Sequence, residues 1–430
     1  MVTQPLRGYS DSDAPSESIY NRCVRCGLCL SSCPTYLETF TETSGPRGRI
    51  SLIKSVGEER LDLLSPGFVH QMSECLGCRA CEAVCPSGVH YGQLIETARA
   101  QIERARRDPF LKRLVRFFAF RVVFSDLRWL RALARLLRCY QRSGLQALLR
   151  RSGLLRLLHL DHVEHLLPPL PARFFAVRDQ RFAAPHPRGT AFLHAGCVMP
   201  LAYAHVNDAT VRMLQRAGFS VVVPSAQGCC GALNVHAGEP ESGRALAKRN
   251  IAALEASGAD VYVVNAAGCG AALKEYGEWF SADGAWAARA AAFSAKVRDI
   301  IELLADSDLP RPDRQVEMTV TYQEPCHLAH AQRITQAPRT LLRSVPGLQL
   351  IEMAESSVCC GSAGIYNLTQ PQMSQRLAQR KINNARATGA QTIATANPGC
   401  ALQLSAMLDG DAQKTRIAHV IELVDEGYSS

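Results

Sequence analysis

The chain has 430 residues, 47% of them apolar and 20% charged, with 17 cysteines and a formal net charge of +9. Length and composition predict two or three folded domains with substantial cores and exclude a disordered protein. Seventeen cysteines, an odd count in a long chain, exclude the evenly paired disulfide scaffold of a small secreted domain. Residues 1–20 lack the basic start and apolar core of a signal peptide and read as a flexible polar tail. A reducing, cytoplasmic setting is therefore expected, in which clustered thiols bind metal or carry redox chemistry.

After the tail, residues 23–34 read CVRCGLCLSSCP and residues 75–86 read CLGCRACEAVCP. Both follow C-x2-C-x2-C-x3-C-P, the run with which bacterial ferredoxins hold 4Fe-4S clusters. Three closely spaced thiolates wrap one side of a cubane of iron and sulfide, and the fourth comes from elsewhere. In two-cluster ferredoxins the cysteine before proline serves the other cluster. The pattern thus assigns Cys23, Cys26, Cys29 and Cys85 to one 4Fe-4S cluster and Cys75, Cys78, Cys81 and Cys33 to a second. Zinc is disfavoured, because four-cysteine zinc sites group their ligands in separated pairs. An α-helical two-cluster domain over residues 21–103 is expected. Within it GPRGR (45–49) offers two arginines to a partner or to an anion beside a cluster, with a solvated loop as the plainer alternative.

The positive charge is local. From Arg104 to Arg156 fourteen arginines and Lys112 face only Asp108 and Asp126, a balance of +13 that leaves about −4 for the rest of the chain. Arg128, Arg131, Arg135, Arg138 and Arg142 form one stripe at helical spacing, opposite Leu130, Leu133, Leu137 and Tyr140, which predicts a basic amphipathic helix. Arg116 and Arg121 interrupt the apolar residues 117–124, so the segment is too broken to cross a bilayer. Docking on a partner or packing on the chain's own domains is favoured over peripheral contact with an anionic membrane and its quinone. No nucleic-acid partner is expected, for no helix-turn-helix or aromatic RNA-binding pattern accompanies the arginines. Pro168, Pro169, Pro171, Pro185 and Pro187 close this connector, residues 104–188.

Beyond it, apolar runs at 191–195, 220–224 and 261–266, and again at 319–323, 348–353 and 391–396, alternate with helical stretches. They read as βα units with a mainly parallel sheet, in two lobes over 189–315 and 316–430. Cys197, Cys229, Cys230 and Cys269 of the first lobe reappear 129 to 131 residues later as Cys326, Cys359, Cys360 and Cys400, with Cys-Cys-Gly kept in both, a tandem repeat. Each cysteine follows a predicted strand, and in a parallel sheet those ends converge on the ligand-binding edge. The eight thiols are therefore candidates for a further iron-sulfur cluster, a zinc site or a redox-active thiol set. His327, directly after Cys326, is a candidate donor behind those ligands or a simple hydrogen-bonding side chain. Cys139 stands alone and reads as an ordinary buried or interfacial thiol. The fold class is thus α/β plus α-helical: a ferredoxin-like domain, a basic helical connector and two Rossmann-like cysteine-rich (CCG) repeats.

Two ferredoxin motifs followed by two CCG repeats resemble the iron-sulfur subunit of glycolate oxidase (glycolate dehydrogenase) over residues 20–425. Heterodisulfide reductase, lactate-utilisation proteins and anaerobic glycerol-3-phosphate dehydrogenase share related architecture, and GPRGRISLIK (45–54) is similar to the glycolate oxidase branch. The resemblance implies an FAD-binding dehydrogenase partner that oxidises the hydroxy acid. This chain, as the iron-sulfur subunit, would pass the electrons through its two clusters towards quinone or another acceptor. D-lactate and glycerol 3-phosphate are the alternative substrates, and no catalytic residue is assigned to this chain. It also lacks a nicotinamide, flavin or nucleotide fingerprint of its own. In heterodisulfide reductase the CCG domains end in C-x-x-C and use five cysteines each. Here Ala272 and Gln403 stand at the fifth positions, which counts against the rival reading of a disulfide-reducing catalytic subunit.

Overall fold

In the computed structural model, residues 6–10, 13–158, 160–408 and 415–429 are described. The N-terminal module is built from short helices laid around the two cysteine loops. Its longer ones are α1 (Pro46–Gly57), α2 (Pro66–Glu74) and α3 (Tyr91–Ala105). Proline opens α1 and α2, where a missing N–H costs nothing and the fixed φ suits the first turn. Ile53, Val56, Phe68, Met72, Leu94 and Ala98 from the three helices form the buried centre.

The expected flexible tail is corrected for its described residues. Arg7 N–H donates to Asp62 (2.9 Å), the Tyr9 hydroxyl to the Ile53 carbonyl (3.0 Å) and the Ser10 hydroxyl to Gln101 (2.8 Å). A helical turn at Glu17–Tyr20 buries Ile19 and Tyr20. Polar letters there serve tertiary hydrogen bonds rather than solvation. Residues 1–5 and 11–12 of that expectation lie outside the described residues.

The connector is helical, with α4 (Phe110–Phe117) and α5 (Leu127–Arg142) as its main pieces. Asp126 caps α5 by accepting from Arg128 N–H (2.9 Å). The buried face of α5 is Leu127, Leu130 and Ala134, so the helix is rotated from the expected phase. Leu133 is exposed, while Arg131 and Arg138 reach the carbonyls of Val177 (3.3 Å) and Ala172 (2.6 Å). Arg138 also lies 4.9 Å from the centre of the Phe174 ring. An arginine stem can pack along apolar surface while its head finds acceptors, so arginine spacing alone mis-phased the wheel.

The first lobe is a five-stranded sheet of β1 (Gln180–Phe182), β2 (Gly189–His194), β3 (Phe219–Val223), β4 (Val261–Val264) and β5 (Val297–Asp299), in the order β1-β3-β2-β4-β5. The second has β6 (Met318–Tyr322), β7 (Leu348–Ile351), β8 (Thr392–Thr395) and β9 (Arg416–His419), in the order β7-β6-β8-β9. All pairs are parallel except β1 with β3. Apart from that added edge strand the two orders coincide. The six expected strands are present; β1 (QRF), β5 (VRD) and β9 (RIAH) carry at least one charged residue each and so show no apolar run.

Each lobe ends in the same device, a strand running into a capped helix, but with opposite chemistry. Asp299 caps Ile300–Ala305 by accepting from Ile301 N–H (2.9 Å), and burial raises its pKa to about 7 from an ordinary 3.8. His419 caps Val420–Glu426 by accepting from Ile421 N–H on Nδ1 (3.2 Å) while Nε2 meets the Asn265 carbonyl of the first lobe (3.0 Å). That pair of bonds requires neutral imidazole, and burial lowers the pKa to about 4 from 6.5. The signs are opposite. The His419 contribution is full above pH 6.5 and lost as pH falls towards 4. The unfavourable Asp299 ionisation sets in as pH rises from about 4 through 7. Denaturant titrations should therefore show wild type losing stability relative to His419→Asn as pH falls from 6.5 towards 4, and losing stability relative to Asp299→Asn as pH rises from about 4 to 7, with no further change above.

Candidate metal centres

The first cysteine loop gathers its thiols at the surface. Cys23, Cys26, Cys29 and Cys85 line one shallow cleft with Arg47 and Pro86, and the buried Cys81 of the second motif also borders it. Cys85 comes from the second motif, carried there by the turn before Pro86. Cys26 is exposed, and Cys23, Cys29 and Cys85 are partly so. Arg47 closes the rim by pairing with Glu42 (2.7 Å) and donating to the Arg25 carbonyl (3.0 Å). Burial raises the Cys29 thiol to about 11. A cleft lined by thiols, with no Asp or Glu among its lining residues, has the donor chemistry of a soft metal cluster.

The second set is interior. Cys33, Cys75, Cys78 and Cys81 are all buried. Burial, and next the negative charges of Cys326 and Cys33, push the Cys78 thiol well up. The Gly77 N–H and the Tyr91 hydroxyl both donate towards Cys75 Sγ (3.4 and 3.6 Å). Arg49, from the GPRGR run, is only 1% exposed and donates to the Gln71 carbonyl (2.9 Å), Thr35 (3.1 Å) and Glu74 (2.9 Å). Burial works against its charge, and the charges of Cys75, Tyr91 and Cys33 more than offset it. The two arginines of that run thus divide: Arg47 flanks the first set and Arg49 is buried beside the second.

In the lobes the βα loops bring four thiols together at each sheet edge. The order β3-β2-β4-β5 reverses direction between β2 and β4, the crevice where open parallel sheets bind ligands, and Cys197 and Cys269 follow those two strands. Cys197 and Cys229 lie 3.7 Å apart, and Cys326 and Cys359 3.9 Å. A hydrogen bond from the Cys230 thiol, and after it the His194 imidazole, lower Cys269 to about 6 against the cost of burial. Gly231 and Gly361 have φ of +82° and +84°, and a Cβ would stand 3.0 Å from the Gly243 carbonyl oxygen and 2.6 Å from that of Ser374. The glycine after each Cys-Cys pair is therefore needed both for its conformation and for close backbone passage.

The lobes face each other through these edges. Ala267 N–H donates to the Ala396 carbonyl (3.1 Å) and Gly268 N–H to Asn397 (3.1 Å). A cavity of about 560 Å³ lies between them, and all eight repeat cysteines line it, with Cys75 and His327. His327 is stacked on His236, ring centres 5.7 Å apart. Cys78 itself packs with Cys359, Tyr366 and Leu377. Three thiol sets therefore adjoin without a break, and the surface set is next to the first of them. Cys139 sits apart, exposed on α5.

Two buried groups beside these sets are missed by the sequence motifs. His194 lies at the end of β2, its Nδ1 2.8 Å from the Tyr262 hydroxyl. Lys381, on the helix Pro371–Arg386, donates to the Ser356 carbonyl (3.1 Å) and to that of Glu355. Its counterpart 131 residues earlier is Asn250, which donates to the Cys229 carbonyl (2.9 Å). The repeat offset, carried from the cysteines into LAKRNI and LAQRKI, is the signal that would have found this pair. Ala272 and Gln403, at the absent fifth positions, are buried, and Gln403 donates to Ser374 (3.0 Å).

Comparison with known families agrees with this anatomy. Residues 19–89 match the 4Fe-4S dicluster domain, 111–167 the linker region of the glycolate oxidase iron-sulfur subunit, and 191–274 and 320–405 the cysteine-rich CCG domain. A dicluster module joined to paired CCG lobes defines an iron-sulfur electron-transfer protein. The chain is 42% identical to the probable glycolate oxidase iron-sulfur subunit of Bacillus subtilis (strain 168), covering 94% of this chain and 93% of that protein. It is 34% identical to the glycolate oxidase iron-sulfur subunit of Escherichia coli (strain K12), covering 96% and 95%. It is 28% identical to a fumarate reductase (CoM/CoB) subunit of Methanothermobacter marburgensis, covering 95% and 72%. The chain belongs to the family of glycolate oxidase iron-sulfur subunits.

Proposed function

We propose that the chain is the electron-transfer subunit of a complex that oxidises glycolate to glyoxylate on a separate FAD-binding subunit. Cys23, Cys26, Cys29 and Cys85 hold one 4Fe-4S cluster and Cys75, Cys78, Cys81 and Cys33 the other. Such clusters supply one-electron carriers. The observation that carries the reading is the exchange of the fourth cysteine. Cys85 lies in the cleft of the first motif, and the charge of Cys33 acts on Cys78 and Cys81 of the second. The protein's part is to bury the second set, to set Arg49 beside it and to keep the first set at the surface. The substrate follows from relatives that carry glycolate oxidase in their names across nearly the full chain. Chain purified without oxygen should contain about eight irons and eight sulfides, and glycolate added to the copurified complex should bleach its visible iron-sulfur absorbance. About four irons, or bleaching by lactate and not glycolate, would refute it.

The connector supports a peripheral membrane contact. Of 22 exposed large apolar side chains among the described residues, 16 fall within residues 110–163, including Phe110, Phe117, Phe118 and Trp129. Arg113, Arg128 and Arg135 are exposed among them. Amphipathic helices that lie on anionic lipid carry arginine together with Phe, Trp and Leu, as this connector does. No helix among the described residues is long and apolar enough to cross a membrane. The connector thus lies on the bilayer surface, within reach of a quinone if quinone rather than another carrier accepts the electrons. The full chain should float with phosphatidylglycerol vesicles and not with phosphatidylcholine alone, and Phe110→Asp with Phe117→Asp should abolish flotation. Failure to float at low salt would contradict the contact.

A further inference from the structure

Two apolar surfaces are uncovered in this chain, and the smaller surrounds the first thiol set. Val24 and Leu28 are 68% and 57% exposed. Their significance comes from the pseudo-symmetry of the two cysteine loops. By position after the first cysteine, Val24 answers Leu76 and Leu28 answers Ala80. Leu76 and Ala80 are 7% and 3% exposed because the second CCG lobe covers them with Tyr366, Met373 and Leu377.

One arginine also stands at a left-handed position in each loop, at opposite ends of the pair: Arg25 answers Gly77, and Gly27 answers Arg79. Each loop has two left-handed positions, filled by Arg25 (φ +58°) and Gly27 (φ +85°) in the first, and by Gly77 (φ +64°) and Arg79 (φ +63°) in the second. Each loop thus places one arginine where the backbone favours glycine, a cost that points to use of the side chain. Arg79 is used inside the molecule: it pairs with Glu82 (2.5 Å) and with Glu275 of the first lobe. Arg25 is exposed, and its side chain has no hydrogen bond or ion pair among the described residues. Arg22, also exposed, adds a second positive charge to the same rim.

From this we infer that the face formed by Val24, Arg25 and Leu28, which line the cleft of the first thiol set, is the docking port for the flavin-bearing subunit. The inference rests on the function proposed above. The second loop shows how such a loop is covered: apolar side chains of the second lobe lie on Leu76 and Ala80, and Glu275 of the first lobe meets its arginine. The partner therefore presents an apolar contact edged with acidic residues, and it meets this chain where the thiol set is least covered, at the exposed Cys26. The connector is left free for lipid.

The test uses the full-length chain together with the flavoprotein that copurifies with it. Arg25→Gly suits the left-handed backbone, and Val24→Glu places a charge in the apolar contact. Both should retain wild-type iron content and low-temperature EPR spectrum while bringing down about tenfold less flavin, the loss typical of a central interface residue. Arg25→Lys should restore part of it. In the wild-type complex, amide exchange should slow over residues 22–28. Wild-type flavin recovery by both variants, or protection confined to residues 110–160, would overturn the port alone. A wild-type chain that brings down no flavoprotein would overturn the functional reading and the port with it.

Discussion

Arg49 is a guanidinium shut away from water, and the interior thiol set is arranged around it. A buried charge is tolerated only when its hydrogen bonds are complete and its counter-charge close. Here the Gln71 carbonyl, Thr35 and Glu74 accept from its nitrogens, and Cys33 and Cys75 supply negative charge beside it. Thr35 in turn lies 3.3 Å from Cys33 and donates to the Ser44 carbonyl (2.6 Å). Tyr366 of the second lobe donates to the Glu74 carbonyl (2.9 Å). Arg49 thereby holds the end of the first motif and the start of the second in a single network. Removing one member of such a buried pair costs about 3–5 kcal/mol, since the other is left uncompensated.

The same economy governs the repeats. Two lobes of one topology turn their strand ends towards each other, which gathers eight thiols around one cavity and lets the dicluster module cap it through Cys75 and Cys78. Duplication does not make the lobes equal. The first has neutral Asn250 at the position where the second buries Lys381, and the charges of Cys360, Cys359 and Cys400 act on that ammonium against the cost of its burial. The dicluster module repeats the theme on a smaller scale, with one loop covered by the lobes and its twin open to solvent.

The parts legible in sequence were those fixed by short-range spacing. The C-x2-C-x2-C-x3-C-P runs and the 131-residue echo of the CCG lobes need no tertiary knowledge, and six apolar runs mark six strands because parallel strands are buried on both faces. What escaped depends on partners distant in sequence. The polar residues Arg7, Ser10 and Asp13 resemble a tail until Asp62, Gln101 and Arg104 are seen opposite them. Arg131 and Arg138 look solvent-facing until the carbonyls beyond the prolines accept from them. Arg49 could not be told from Arg47 by position in GPRGR, because only the fold decides which of them meets the buried sulfurs.

The central claim is that one buried cation makes the interior thiol set a cluster site. The most direct measurement is the iron content and reduced EPR spectrum of Arg49→Met, purified without oxygen as the full chain. The account predicts about four irons per chain, with the signal of the surface cluster kept and that of the interior cluster lost. About eight irons and an unchanged spectrum would contradict it.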